Sequence, residues 1–127
     1  LHLSLRRQRQ MCIRDRMNGI SYRVPTSDVS IVDLNVALSK ATSYEDICQK
    51  VREASMTYLS GILDCVDDEV VSSDFIGDPH ASIFDIREGI QVNSHFFKLI
   101  CFYDNEWGYT CQIFRLIKYM NQIDQTN

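Results

Sequence analysis

The spacing of hydrophobic and polar residues changes several times along the chain, and each change predicts an element. From Tyr22 the chain reads as extended, and Pro25 fits only the start or edge of a strand because it cannot donate to a ladder. Val32, Leu34, Val36 and Leu38 then alternate with Asp33, Asn35, Ala37 and Ser39, a period of two that predicts a strand with one buried face. Val29 and Ile31 fall in the opposite phase, which predicts a bulge or a two-sided segment near Ile31 and Val32. A helix follows. Ser43 can cap it, and Glu45 and Asp46 favour the positive end of its dipole. Ile47, Val51, Ala54 and Tyr58 recur at helical spacing as its apolar face, and Gly61 marks its exit.

Beyond Gly61 the apolar runs are short. Val70–Ser72, Ser82–Asp85 and Ile90–Asn93 are strand candidates, separated by Asp67, Asp68, Gly77, Asp78, Pro79 and Gly89. The segment Phe96–Tyr103 is apolar apart from Lys98, which suits a central strand covered on both faces. Ile113, Leu116, Ile117 and Met120 predict an amphipathic helix over 109–122. Strand, helix, several strands and helix make an α+β layer with helices packed on a sheet.

Composition adds bounds. At 127 residues, 45% hydrophobic and 24% charged, the chain has the make-up of one soluble globular domain. No apolar run approaches the ~20 residues that cross a bilayer, and no apolar stretch suits a signal peptide, so no membrane association and a cytoplasmic location are expected. The five cysteines are odd in number and never spaced C-x-x-C, so reduced thiols packed as small hydrophobes are expected. His80 and His95 stand too far from other ligand types to suggest a metal.

The net charge of −4 hides a split. Residues 1–16 hold five arginines against Asp15, which leaves −8 on the rest. A basic tail raises nucleic-acid binding as a reading. The tail has no aromatic residue for stacking, however, and the acidic body would repel phosphates. Residues 6–16 also resemble the conceptual translation of a sequencing adapter. We therefore expect residues 1–16 to be a non-family extension, a disordered tail or an assembly artefact, and residues 17–127 to be a partial catalytic domain.

The chemistry the chain lacks is as informative. Its five glycines never come closer than 12 residues, which excludes both the dinucleotide fingerprint and the P-loop from this sequence. Cys111, early in the final helix, has the best local setting for a nucleophile, but no histidine lies near it in sequence. Cys101 reads as inert packing in an apolar strand. Asp67, Asp68 and Glu69 read as a solvated acidic turn.

Three stretches carry a family resemblance. The first is Tyr22-Arg23-Val24-Pro25-Thr26 with Asp28-Val29-Ser30 and Val32-Asp33-Leu34. The second runs from Asp68 through Ser72-Ser73-Asp74-Phe75-Ile76-Gly77-Asp78-Pro79-His80 to Ser82-Ile83-Phe84-Asp85. The third is Tyr103-Asp104-Asn105-Glu106-Trp107-Gly108-Tyr109. In order and spacing they are similar to the final third of the phosphorylating glyceraldehyde-3-phosphate dehydrogenases, and the similarity covers roughly residues 18–120.

The resemblance implies a mixed, largely antiparallel catalytic sheet with helices packed on one face. In the intact family enzyme that sheet accompanies a Rossmann domain in a cytosolic homotetramer. It also implies a reaction in which a cysteine thiolate takes up glyceraldehyde 3-phosphate, hydride passes to NAD, and inorganic phosphate releases the acyl group as 1,3-bisphosphoglycerate. The Ser-Cys-Thr-Thr-Asn motif of the nucleophile is not in this sequence, nor is the histidine that follows it. No catalytic residue is therefore expected here, and the isolated chain is expected to be inactive, or to act only by associating with intact subunits. By the resemblance Arg23 is a phosphate ligand, where the bland alternative is a salt-bridged strand arginine. Asn105 binds the nicotinamide carboxamide, against a turn asparagine. Tyr109 lies near the nicotinamide, against a buried tyrosine at a helix start. His80 is not the family base. Ala81, where serine is usual, and Thr110-Cys111-Gln112 depart from the pattern and bear on how Asn105 is held.

Overall fold

The computed structural model describes residues 18–125. The expected non-family extension, residues 1–16, therefore lies outside the described residues. In chain order the elements are β1 (Ser30–Ala37), α1 (Tyr44–Met56), β2 (Leu63–Val66), a 3-10 turn (Ser72–Phe75), β3 (Ser82–Gln91), β4 (Phe96–Tyr103) and α2 (Trp107–Asp124). The strands form one sheet in the order β1-β4-β3-β2. β4 pairs antiparallel with β1 and β3, and β2 pairs parallel with β3. This is the mixed, largely antiparallel α+β architecture expected, with the aromatic strand Phe96–Tyr103 inside the sheet.

Directly opposed residues in a sheet share a face. Ile83 and Phe102 oppose each other and form one core with Val29 and Phe75, flanked by Val66, Val70 and Ile100. The Phe75 and Phe102 rings lie 4.8 Å apart. On the other face α1 lies against β2 and β3, and Cys65 Sγ reaches Ser55 Oγ at 3.8 Å.

Helix α1 starts as its sequence predicts. Ser43 Oγ accepts from the N–H of Asp46 at 3.1 Å, and Asp46 Oδ2 accepts from the N–H of Ser43, a reciprocal capping box. Its buried residues are Cys48 and Ala54, with Ile47 and Val51 half-buried. Tyr58, expected on this face, is 78% exposed because the helix ends at Met56.

Three strand expectations are corrected. The phase shift before β1 is not a bulge, since the register with β4 is unbroken from Ser30 to Ala37. It arises at Val29, whose φ of 69° turns the side chain into the core. A left-handed valine costs roughly 1–2 kcal/mol. Asp28 Oδ1 accepts from its N–H at 2.7 Å, and burial of the isopropyl group offsets the rest. Val70 and Val71 are loop and Ser72 opens the 3-10 turn, while the unforeseen edge strand is Leu63–Val66. Ser82–Asp85 and the start of Ile90–Asn93 join as the single strand β3, which ends at Gln91 with Val92 and Asn93 in the turn, and its pairing with β4 is irregular between Asp85 and Ile90.

Buried Asp85 organises that irregularity. Its Oδ1 accepts from the N–H groups of Arg87 (2.9 Å) and Glu88 (3.2 Å). The Tyr44 hydroxyl donates to the carbonyl of Ile86 at 2.8 Å, and burial pushes its pKa well up. A Cβ on Gly89 would overlap the Tyr44 hydroxyl and ring. Gly89→Ala is therefore expected to destabilise the fold by roughly 1–3 kcal/mol in urea unfolding. In a Tyr44→Ala background the same substitution should cost little, because the obstructing ring is gone.

Candidate functional site

The second and third motifs meet at Asp104, which is 1% accessible. One carboxylate oxygen accepts from the N–H of Gly77 at 2.8 Å. The other accepts from the N–H groups of Glu106 (2.9 Å) and Trp107 (2.6 Å) at the start of α2. Burial alone would raise this carboxyl, but the backbone donors outweigh it and hold the pKa below the usual aspartate range. Gly77 has a φ of +83°, which suits glycine and lets its N–H face the strand end. Gly108 brings α2 close to the same loop, since a Cβ there would lie 2.8 Å from the carbonyl oxygen of His80.

Further bonds fix the loop. His80 Nδ1 and its N–H both lie 2.8 Å from Asp78 Oδ1. From α2, Arg115 reaches the carbonyl of Pro79 at 3.0 Å and also the carbonyl of Gly61. The helix thus meets the body through its first turns and Arg115. Its stripe of Ile113, Leu116, Ile117 and Met120 is exposed.

Asn105 sits between β4 and α2. Ser30 Oγ donates to its Oδ1 at 3.1 Å, linking the first motif to the third. Its Nδ2 has no partner among the described residues. Arg23 is exposed in the segment ahead of β1 and makes no ion pair among the described residues. Tyr109 is 67% exposed on the first turn of α2 rather than buried. The structure therefore joins Asn105 to the Asp104 knot and leaves Arg23 and Tyr109 apart from it. A shallow cleft of about 460 Å³ adjoins the knot, lined by Asp28, Ile76, Gly77, Asp104, Glu106, Trp107 and Thr110. A larger groove of about 600 Å³ lies along α1 beside Tyr44, Cys48 and Arg52 and shares no residue with the motifs.

The thiols form no disulfide among the described residues. Burial raises the pKa of Cys48, Cys65 and Cys101, so they are neutral, weak nucleophiles. Among the described residues no cluster of three or more His, Cys, Asp or Glu suits a metal, and no helix is long and apolar enough to cross a membrane. Asp104 and Ser30 were not singled out from sequence. The readable signal for Asp104 was an aspartate three residues before a helix's first residue, an N-terminal capping pattern.

Comparison with known proteins follows the motifs. A family profile described as glyceraldehyde 3-phosphate dehydrogenase, C-terminal domain, matches residues 11–105. The chain is 50% identical over 110 residues to a glyceraldehyde-3-phosphate dehydrogenase of Chlamydia pneumoniae, covering 87% of this chain and 33% of that protein. It is 50% identical over 113 residues to glyceraldehyde-3-phosphate dehydrogenase 1 of Trichormus variabilis, covering 89% and 33%. Against glyceraldehyde-3-phosphate dehydrogenase 2 of Drosophila melanogaster it is 49% identical over 112 residues, covering 88% and 34%. The chain spans about a third of the length of these curated relatives.

Asp104→Asn leaves one acceptor oxygen where two are used, and should cost about 1–3 kcal/mol at neutral pH. Because the folded pKa is depressed, the carboxylate's contribution is complete above the ordinary aspartate range and is lost as pH falls through the folded value. Urea midpoints measured against pH should show that acid-side loss in the parent chain and less of it in the variant.

Proposed function

Because the chain belongs to the glyceraldehyde-3-phosphate dehydrogenase family, we propose that it is part of the catalytic domain of an NAD-dependent, phosphorylating enzyme of glycolysis. The reaction converts glyceraldehyde 3-phosphate and inorganic phosphate to 1,3-bisphosphoglycerate in a cytoplasmic homotetramer. In this reading the chain supplies binding and orientation, and the nucleophile and base come from polypeptide outside this sequence.

One observation carries the reading: Asn105 is held with one amide atom occupied and the other without a partner among the described residues. Ser30 takes Oδ1, and Nδ2 can donate to a carboxamide oxygen. When bound, NAD accepts the hydride. The part left to Asn105 is to fix which ring face meets the substrate, which is positioning rather than bond-making. The Asp104 knot holds the backbone on which Asn105 rides. Arg23, exposed and without an ion-pair partner among the described residues, suits an anion ligand better than a structural arginine, since its fork is not already used. Tyr109, exposed beside Asn105 in sequence, is available to flank the nicotinamide. The exposed stripe on α2 favours a second mode, association with intact subunits without catalysis.

Two measurements test this. The purified chain, given triose phosphate, phosphate and NAD, should make no NADH above a blank and form no acyl-protein; turnover, or an acylated cysteine, would overturn the assignment of roles. In a chimera carrying this sequence in place of the matching third of the chlamydial enzyme, Asn105→Ala should lower kcat/KM roughly tenfold to a hundredfold, the scale of one lost hydrogen bond. Arg23→Ala should act mainly on the KM for phosphate. An unchanged chimera would sink both carry-overs.

A further inference from the structure

Ser30 is the first residue of β1 and is half-buried. Its backbone is fixed on two sides. Ahead of it Val29 is buried in the core with its N–H on Asp28 Oδ1, and across the ladder Ser30 stands opposite Tyr103. The backbone at Asn105 is fixed as well, because the N–H groups of Glu106 and Trp107, next along the chain, are bound to the Asp104 carboxylate. What these ties leave undetermined is the Asn105 side chain, which is exposed. Its amide takes one hydrogen bond among the described residues, from Ser30 Oγ to Oδ1 at 3.1 Å, between residues 75 positions apart.

We propose that Ser30 is a positioning residue for the cofactor step: its hydroxyl turns the Asn105 amide so that Oδ1 faces β1 and Nδ2 faces outward before NAD arrives. This rests on Asn105 being the carboxamide ligand proposed above. An asparagine side chain has three χ1 wells and two amide orientations, about six states in all. A solvated hydrogen bond of ordinary net strength favours its own state about fivefold over each of the others. The outward-donating state then rises from about a sixth of the population to about a half, and a ligand that needs this state gains affinity in proportion. The hydroxyl is therefore worth roughly twofold to fourfold to NAD. Because the bond joins a half-buried residue to an exposed one, it contributes little to the fold, and Ser30→Ala should leave the urea midpoint nearly unchanged.

Two measurements test the role. In the labelled full chain, three-bond couplings to Asn105 Cγ report its χ1 populations. One rotamer should dominate in the parent, Ser30→Ala should move the couplings towards their three-well average, and Ser30→Thr, which keeps the hydroxyl, should return them. Averaged couplings in the parent, or couplings unmoved by Ser30→Ala, would overturn the proposal. In the chimera with the chlamydial enzyme, Ser30→Ala should lower kcat/KM for NAD roughly twofold to fourfold and leave the KM for phosphate unchanged. Ser30→Thr should restore it, and Ser30→Ala should have no effect once Asn105 is alanine. A full Ser30→Ala effect in that double variant would mean that the hydroxyl acts by another route. If Asn105→Ala lowers kcat/KM and Ser30→Ala does not, the positioning role fails while the reading of Asn105 stands. If Asn105→Ala changes nothing, the reading of Asn105 fails and the role falls with it.

Discussion

The Asp104 carboxylate is the interaction on which the arrangement of this chain depends. The loop after the 3-10 turn lies far in sequence from the junction of β4 and α2, and the loop and the helix start both present backbone N–H groups there. A single anion collects donors from the loop and the helix onto the end of the strand. The charge suits the task, because a carboxylate offers two acceptor oxygens and fixed N–H dipoles hold it more strongly than a neutral amide could be held. The depressed pKa expresses the same energy from the proton's side.

Around this point the rest falls into layers of support. The core of Val29, Phe75, Ile83 and Phe102 lies on the face of the sheet where the loop returns, so packing brings Gly77 to the carboxylate's neighbourhood. The left-handed Val29 directs β1 into its unbroken register with β4, and that register puts Ser30 opposite Tyr103, two residues before Asn105. The residue proposed to orient the cofactor is thus positioned from two sides, by a hydroxyl on one strand and a backbone knot on the next.

Much of this was legible in the sequence. Alternation found β1, although the Val32 and Leu34 face it predicted as buried is exposed; the apolar run found β4, the Ser43 cap found α1, and the three motifs found the family. The failures have physical causes. β2 is four residues of mixed polarity, too short for a period to show. Gly89 looked like a turn because a side-chain-free position is needed there, yet the need comes from Tyr44 inserted across an irregular strand. Val29 looked like half of a bulge because a two-residue period cannot distinguish an inserted residue from one with inverted backbone. The stripe on α2 was read correctly as apolar, but no pattern within the chain could say that it would stand free of the sheet. Of the site, Asn105 was visible through its motif and Asp104 only through a capping pattern.

Gly108 has a mechanical consequence. At 18 residues α2 is about 27 Å long, and in its first turn the missing side chain lets the backbone rest on His80. Over such a length a tilt of about 5° at the seat corresponds to roughly 2 Å at the far tip. Two hydrogen-bonded residues, Asp104 and Arg115, therefore aim a hydrophobic surface much larger than themselves.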